Sequence, residues 1–399
     1  MSCLLPTIVH LDADAFFVAV EQALDPTLRG KKVAVGGRER GIIASASYEA
    51  RACGVYTPMP SKLALKICPD LILVSHGHGQ YGPYSRRMFE ICETLTPYVQ
   101  RNSIDEGYLD LGPCGCKSVE EIARRVRAIQ QRIWDDLQIT ASFGIATNKL
   151  VAAIASKARK PRGFTLVAPG EEAAFLAPLK ITVIPGVGQK SAARLEAAGI
   201  RLVRDLCARS ETELKALFGG GWPEMLAMAR GQDDRRVETN EEEAKSYSTQ
   251  ETFAHDIGEF ASIERIAKRM IDELLPKIRA DGKRVKTMTI KVRYPAMEDN
   301  SAGRSLADAT DLEAPFYALV PLLLKAAWTK RRPLRLVSVR FSSVEEQGSQ
   351  LEMFTQADEK KRRLAAVLDQ LNDRGQKGVV RHGHQLGKTA DREFRNEHR

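Results

Sequence analysis

Three acidic residues set in apolar surroundings give the first sign of chemistry in this 399-residue chain. Residues 103–111 (SIDEGYLDL) read as a strand, because Ile104, Tyr108, Leu109 and Leu111 supply β-branched and apolar bulk. Asp105 and Glu106 stand side by side in its middle. A buried carboxylate is costly unless positive charge pairs with it, and a divalent metal supplies such charge. Taken alone, the stretch reads equally as a strand edge or turn with solvated acids. A third acid, Asp12, closes the apolar run Thr7 to Leu11 (TIVHL). If both strands join one sheet, Asp12, Asp105 and Glu106 converge as hard oxygen ligands without Cys or His. That set suits Mg²⁺ or Mn²⁺ rather than zinc. Paired ions of this kind serve phosphoryl transfer. Asp14, two residues on, is expected to cap the helix that follows.

Groups suited to a triphosphate lie elsewhere. Tyr48 and Arg51 are three apart in the helical stretch 47–55, hence on one face, and Lys160 follows the Ala-rich stretch 148–159. Phe17 lies just beyond Asp12, placed to pack against a sugar. A P-loop signature is absent from the sequence. Residues 184–192 (IPGVGQKSA) read as a helix–hairpin–helix, whose glycines let backbone N–H groups approach a DNA phosphate.

These residues need elements to hold them. Short strands are expected at 7–11, 32–36, 41–46, 103–111, 140–146 and 164–167, with helices near 61–68, 80–96, 119–137 and 148–159. Strands and helices mix without a strict βαβ rhythm, which argues an α+β, palm-like sheet. Residues 171–236 are helical, and 232–246 (QDDRRVETNEEEAKS) read as a charged linker. A small α+β domain follows, with strands at 246–253, 285–294 and 334–341, helices at 259–280 and 314–328, and a loop over 295–313. Lys283, Arg284, Lys286, Lys291, Arg293 and Arg304 are expected to make its sheet side basic. The tail from 345 contains a helical stretch, 357–371, and a basic end in which His382 and His384 form no ligand set.

Composition narrows the classes. Lys plus Arg is 60 against 51 Asp plus Glu, a net charge of +9, which permits a polyanionic partner. Two basic modules joined by a polar linker suit a clamp around an extended polyanion. No apolar run approaches a membrane span, and the N-terminus lacks a signal-peptide pattern. The seven cysteines are scattered and fit no zinc module, so they are expected to be reduced thiols in a cytoplasmic protein.

At this point the motifs carry a family resemblance. HLDADAFFVAVEQ (10–22), ASYEARACGV (46–55), SIDEGYLDL (103–111), SFGIATNKLVAAIASKARKPRG (142–163), IPGVGQKSAARL (184–195) and KSYSTQETFAHDI (245–257) resemble those of the Y-family, lesion-bypass DNA polymerases, most closely the DinB/polymerase IV branch. The resemblance implies a multidomain right-hand polymerase that copies templates at low fidelity without a proofreading exonuclease. It implies a palm over 1–20 and 78–168, fingers over 21–77, a helical thumb over 169–236, a linker over 237–246, a little finger over 247–344 and a tail over 345–399. Asp12, Asp105 and Glu106 would hold two Mg²⁺, or Mn²⁺ in substitution, with the Ala13 carbonyl as a further ligand. Asp12 and Asp105 would bridge, and Glu106 would serve the metal at the primer 3′-hydroxyl. Ser45, Tyr48, Arg51 and Lys160 would grip the dNTP triphosphate. Phe17 would be the steric gate against a ribose 2′-hydroxyl, with Phe16 packed behind it. Gly186, Gly188, Lys190 and Arg304 would contact primer–template DNA. The peptide QLEMF (350–354), through Gln350, Leu351, Met353 and Phe354, looks like the one by which such polymerases bind the bacterial sliding clamp. The expected state is a monomer.

Departures from the family pattern are modest. Gly107 stands where Ala is usual, an exchange of small for small. MEDNSAGRSL (297–306) lacks the usual TRS, and Ser338 replaces a common glycine. A non-catalytic, clamp- and DNA-binding adaptor of the same fold is the alternative, and the presence of all three acids argues against it. A helix–hairpin–helix repair nuclease would leave Phe17 and the Tyr48/Arg51 helix unexplained.

Overall fold

A computed structural model describes residues 5–38, 40–75, 79–239, 243–346, 356–374, 380 and 383. The chain divides into two compact units, Met1–Glu241 and Glu242–Arg399. The first unit opens with β1 (Ile8–Ala13) and α1 (Phe16–Leu24). Then come β2 (Val33–Gly36), β3 (Ile43–Ala46), α2 (Tyr48–Ala52), α3 (Ser61–Ile67) and β4 (Ile72–Val74). Next are α4 (Tyr81–Glu93), β5 (Val99–Arg101), β6 (Glu106–Asp110), α5 (Val119–Leu137), β7 (Ala141–Ala146), α6 (Lys149–Lys157) and β8 (Phe164–Leu166). Helices α7 (Glu172–Leu176), α8 (Gln189–Ala197), α9 (Val203–Cys207), α10 (Glu211–Phe218) and α11 (Trp222–Ala229) complete the unit.

The site rests on the sheet ordered β5-β6-β1-β7-β8. Its central strands are apolar because both faces are covered: all six residues of β7 (ASFGIA) are buried. Helix α5 places Ile122, Val126, Ile129 and Ile133 in the core at helical spacing. Each such burial contributes about 1.5–3 kcal/mol. Ser118 starts that helix by accepting from the Glu121 N–H at 3.2 Å. Gln138, in the left-handed region at φ 58°, ends it. Helix α6 begins at Asn148, which caps the Val151 N–H at 3.0 Å. It packs close on β7 only because residue 144 is glycine: a Cβ there would lie 2.0 Å from the Ala152 carbonyl oxygen. A second sheet, β3-β2-β4, carries α2 and α3. The described cysteines are free.

Two expectations about extent are corrected in this unit. The strand expected over 103–111 begins at Glu106, so Asp105 lies in the preceding turn. Residues 231–238, at the start of the expected linker, are fastened to the palm. Asn148 donates to the Gly231 carbonyl at 2.8 Å, Asp233 accepts from the Leu150 N–H at 2.9 Å, and Lys149 donates to the Arg236 carbonyl at 3.1 Å. These polar groups bind the first turn of α6, so the stretch needs no apolar residues to be held.

The second unit comprises β9 (Ser246–Ile257), α12 (Phe260–Ala280), β10 (Lys283–Arg293), β11 (Asp299–Thr310), α13 (Glu313–Ala327), β12 (Leu334–Glu346) and α14 (Gln356–Arg374). Its sheet runs β11-β10-β12-β9, antiparallel throughout. Met288, Ile290, Val292, Val337, Val339 and Phe341 join α12 and α13 in one core. The loop expected over 295–313 is largely β11. As an edge strand with Ala302 and Leu306 as its apolar anchors, it is too polar for the alternation test to find. No helix of the described residues is long and apolar enough to cross a membrane.

Candidate active site

Antiparallel pairing of β1 with β6 sets Asp12 directly opposite Glu106. Opposed residues project from the same face, with Cβ atoms about 5 Å apart. Two carboxylates so placed repel, and two lysines offset that repulsion. Lys160 Nζ bonds Asp12 Oδ1 and lies 3.4 Å from the Ala13 carbonyl oxygen and 3.7 Å from Asp14. Lys157 Nζ, from the last residue of α6, lies 3.2 Å from Glu106 Oε2 and 3.9 Å from Asp12 Oδ2. Burial pushes the Asp12 carboxyl above its ordinary range. Lys160 opposes that shift by charge and hydrogen bond, and Lys157 by charge.

Behind the acids, burial foremost and then the charges of Lys157 and Lys160 hold His10 down at about 3. The neutral ring shares a 2.8 Å hydrogen bond with Ser156 Oγ and stacks edge-on with Tyr108. Asp105 sits in the turn just before Glu106. Its carbonyl accepts from the Ala13 N–H at 2.9 Å, which ties the turn to β1. Its carboxylate accepts from Ser103 Oγ at 2.5 Å.

The donor set fits a hard divalent cation in its chemistry: carboxylate oxygens at adjoining strand ends, a backbone carbonyl, and positive charge already drawn to them. The set is not gathered in advance. Among the described residues no three His, Cys, Asp or Glu side chains form a ready cage.

Asp14 does not cap α1. Ala15 occupies the N-cap in the left-handed region at φ 47°, with no side-chain cap bond. Asp14 is instead buried, accepting from Ser142 Oγ at 2.8 Å and the Arg162 N–H at 2.7 Å. A tertiary role has overridden the local preference: Asp14 fixes the loop that presents Lys160.

The nucleotide-binding candidates form two groups. Helix α2 starts at Ser47, whose Oγ accepts from the N–H groups of Ala50 and Val33 at 3.1 Å each, joining α2 to β2. Tyr48 then reaches Asp14 at 3.5 Å. Burial and the Asp14 charge push its phenol upward. The Arg51 guanidinium lies 4.9 Å from the Tyr48 ring centre and donates to the Ala46 carbonyl at 2.9 Å. Ser45 is buried on β3, opposite Val35. Phe17 packs on Tyr81 with ring centres 4.7 Å apart, and buried Phe16 stands 5.7 Å behind it.

Gly186, at φ 87°, Gly188 and Lys190 lie exposed at the start of α8, anchored by buried Ile184 and Val187. In the second unit the strand register divides the expected basic face. Arg304 pairs with core residue Met288, so it projects from the helix-covered side. The other side carries Thr289, Lys291 and Arg293 of β10 against Ser338 and Arg340 of β12 and Ser248 and Gln250 of β9. Arg293 is spent on Asp299, at 2.6 and 2.8 Å. Sequence reasoning passed over exposed Arg340, which the alternation with core residues Val339 and Phe341 would have found, and gave no role to Lys157 although it lies within the quoted stretch 142–163. Gln350, Leu351, Met353 and Phe354 lie outside the described residues, as do His382 and His384.

Comparison with known proteins agrees with this geometry. The impB/mucB/samB family matches residues 11–157, its C-terminal domain 244–353, and the IMS family HHH motif 169–200. A protein of Opitutus terrae named DNA polymerase IV is 68% identical over 386 residues, covering 96% of this chain and 98% of its own. One of the same name from Oceanobacillus iheyensis is 32% identical, covering 94% and 90%. Among solved structures, a Y-family DNA polymerase chimera has a TM-score of 0.77 at 28% identity, covering 84% of this chain and 98% of its own. The insertion ternary complex of Dbh DNA polymerase scores 0.61 at the same identity and coverage. Opposed acids on a palm-like sheet, a helical hairpin module, a four-stranded C-terminal unit and matches along nearly the whole length thus place the chain in the impB/mucB/samB family, among the DinB-type Y-family DNA polymerases.

Proposed function

We propose that this chain is a DNA-directed DNA polymerase that extends primers across damaged templates at low fidelity. The pairing of Asp12 with Glu106 across β1 and β6 is the observation that carries this reading. Asp12, Asp105 and Glu106, with the Ala13 carbonyl, would hold two Mg²⁺, for which Mn²⁺ could substitute. When bound, the ions lower the charge barrier to attack of the primer 3′-hydroxyl on the α-phosphate. Asp105 would complete the set. Lys160 exchanges its bonds to Asp12 for the triphosphate, joined by Tyr48, Arg51 and Ser45. Phe17 stands against the sugar and rejects a 2′-hydroxyl. Gly186, Gly188 and Lys190 of the thumb hold the DNA backbone. On the little finger, Lys291 and Arg340 serve better than Arg304, whose side the register turns away from that face. QLEMF (350–354) docks on a bacterial sliding clamp, and the protein acts as a cytoplasmic monomer.

The test is primer extension with Mg²⁺ on undamaged and lesion-bearing templates. Wild type extends both; Asp12→Asn, Asp105→Asn and Glu106→Gln each lose roughly 10²–10³-fold or more. Full activity in the Asp105 variant sinks the ligand assignment. Failure of the wild type to extend any primer favours the adaptor. Deleting 350–354 should remove stimulation by the clamp and leave basal extension intact.

A further inference from the structure

We propose that Lys157 is a resident counter-ion that sets the threshold for metal entry between Glu106 and Asp12. This rests on the reading of those two acids as metal ligands. The two lysines beside the acids divide them unequally. Lys160 takes Asp12 and the Ala13 carbonyl, at the end of the site reached by Tyr48 through Asp14. Lys157 takes Glu106 first, at 3.2 Å, and the far oxygen of Asp12 second, at 3.9 Å. Its ammonium therefore stands against the oxygens that a cation between the two acids would require.

The two ammonium groups also differ in how readily they leave. The Lys160 side chain is 19% exposed and is held by several oxygens, whereas that of Lys157 is 54% exposed. A half-exposed lysine swings into water at small cost. Displacing Lys157 nevertheless gives up its attraction to two carboxylates, and an incoming cation must outbid that attraction. In the free protein Lys157 thus relieves repulsion between opposed acids and lowers divalent occupancy. It touches the ligands rather than the substrate, which makes it a positioning residue. The placement depends on α6 lying tight on β7 over Gly144, since Lys157 is the last residue of that helix.

The experiment is Mn²⁺ binding to the full-length, DNA-free protein by titration calorimetry. Removing any nearby positive charge favours a cation weakly through space, so a control is needed. Arg159, two residues on and exposed, supplies it. Lys157→Gln should bind Mn²⁺ about three- to tenfold more tightly than wild type, and Arg159→Gln should change binding by less than about twofold. Lys157→Arg should stay near wild type. Unchanged affinity in Lys157→Gln overturns the proposal, and so does an equal gain in both glutamine variants. The double variant Asp12→Asn/Glu106→Gln separates the two readings. If it loses Mn²⁺ binding while Lys157→Gln behaves as wild type, the counter-ion role fails alone. If it binds as wild type does, the ligand assignment fails and the counter-ion role falls with it.

Discussion

Ser142 and Asp14, 128 positions apart in sequence, are joined by a 2.8 Å hydrogen bond inside the palm. Ser142 Oγ also accepts from the Gly163 N–H at 2.9 Å, and Asp14 accepts from the Arg162 N–H at 2.7 Å. The loop carrying Lys160 is thereby sewn to the ends of β1 and β7. Asp14→Ala would strand the buried Ser142 hydroxyl and the part-buried Arg162 N–H, at about 1–3 kcal/mol for a fully buried donor. The expected loss is about 2–4 kcal/mol, with Lys160 released from its position. Urea unfolding measures the first effect and primer extension the second. Asp12→Asn provides the contrast, since it should lose extension while keeping its fold. An Asp14→Ala protein as stable as wild type would remove the loop-anchoring role.

Phe17 and Tyr81 make an edge-to-face pair, and the Tyr81 hydroxyl bonds Glu21 on α1. The Phe17 ring, proposed as the gate, is therefore braced by a partner that is itself held. Phe17→Ala should raise ribonucleotide incorporation relative to the matching deoxynucleotide by about tenfold or more. It should also cost about 1 kcal/mol of stability through the lost ring pair. Single-nucleotide insertion with paired ribo- and deoxynucleotides reads the first outcome. An unchanged ratio assigns sugar discrimination to another residue.

How much of this was legible in the sequence depends on whether the signal was local. The strands around Asp12 and Ser142 were legible because buried apolar runs bounded by turns announce themselves, and the acids because they interrupt such runs. Asp14 was misread as a cap: its partners Ser142 and Arg162 lie more than a hundred positions away, and nothing nearby reports them. Strand β11 was missed because an edge strand need not be apolar. Lys157 was given no role at the acids because its reach to Glu106 depends on how closely α6 approaches β7. That approach is set by the missing side chain of Gly144, and by no feature of the lysine itself.

The thumb offers a prediction in pH. Glu213 opens α10 by accepting from the Ser210 N–H at 2.9 Å, while Ser210 Oγ accepts in return from the Glu213 N–H. The Ser210 backbone bond foremost, then the Ser210 hydroxyl and Arg209, hold the Glu213 carboxyl down at about 2, against an ordinary 4.5. Folding thus favours the ionised form. Its contribution is whole above about pH 4.5 and lost as pH falls towards 2. Glu213→Gln should melt below wild type at pH 7, and the two melting temperatures should converge near pH 2 in thermal scans of the full chain. A gap that persists at low pH would trace to packing rather than ionisation.

Gly107 is the position where a conservative-looking exchange should fail. Read from sequence, glycine in place of the family's usual alanine is small for small. In the fold, a Cβ on residue 107 would lie 2.6 Å from the Gln100 carbonyl oxygen and 2.8 Å from Phe89 Cε1. Phe89, on α4, is fully buried in the core of this sheet, with the Arg101 guanidinium 5.0 Å from its ring centre, so its ring has little room in which to yield. The backbone of β5 cannot move without breaking its ladder with β6, where Arg101 pairs with Gly107 itself. Here Phe89 fills the volume that an alanine methyl would need. Gly107→Ala should therefore cost about 1–3 kcal/mol, the range for an overpacked core. The strain falls one residue from Glu106, so extension should drop even where the protein stays folded. Pairing Gly107→Ala with Phe89→Leu, which vacates the ring's edge, should recover part of both losses. Denaturant unfolding and primer extension on the two variants decide the matter: a Gly107→Ala protein matching wild type in both would show that the sheet gives way more easily than its packing implies.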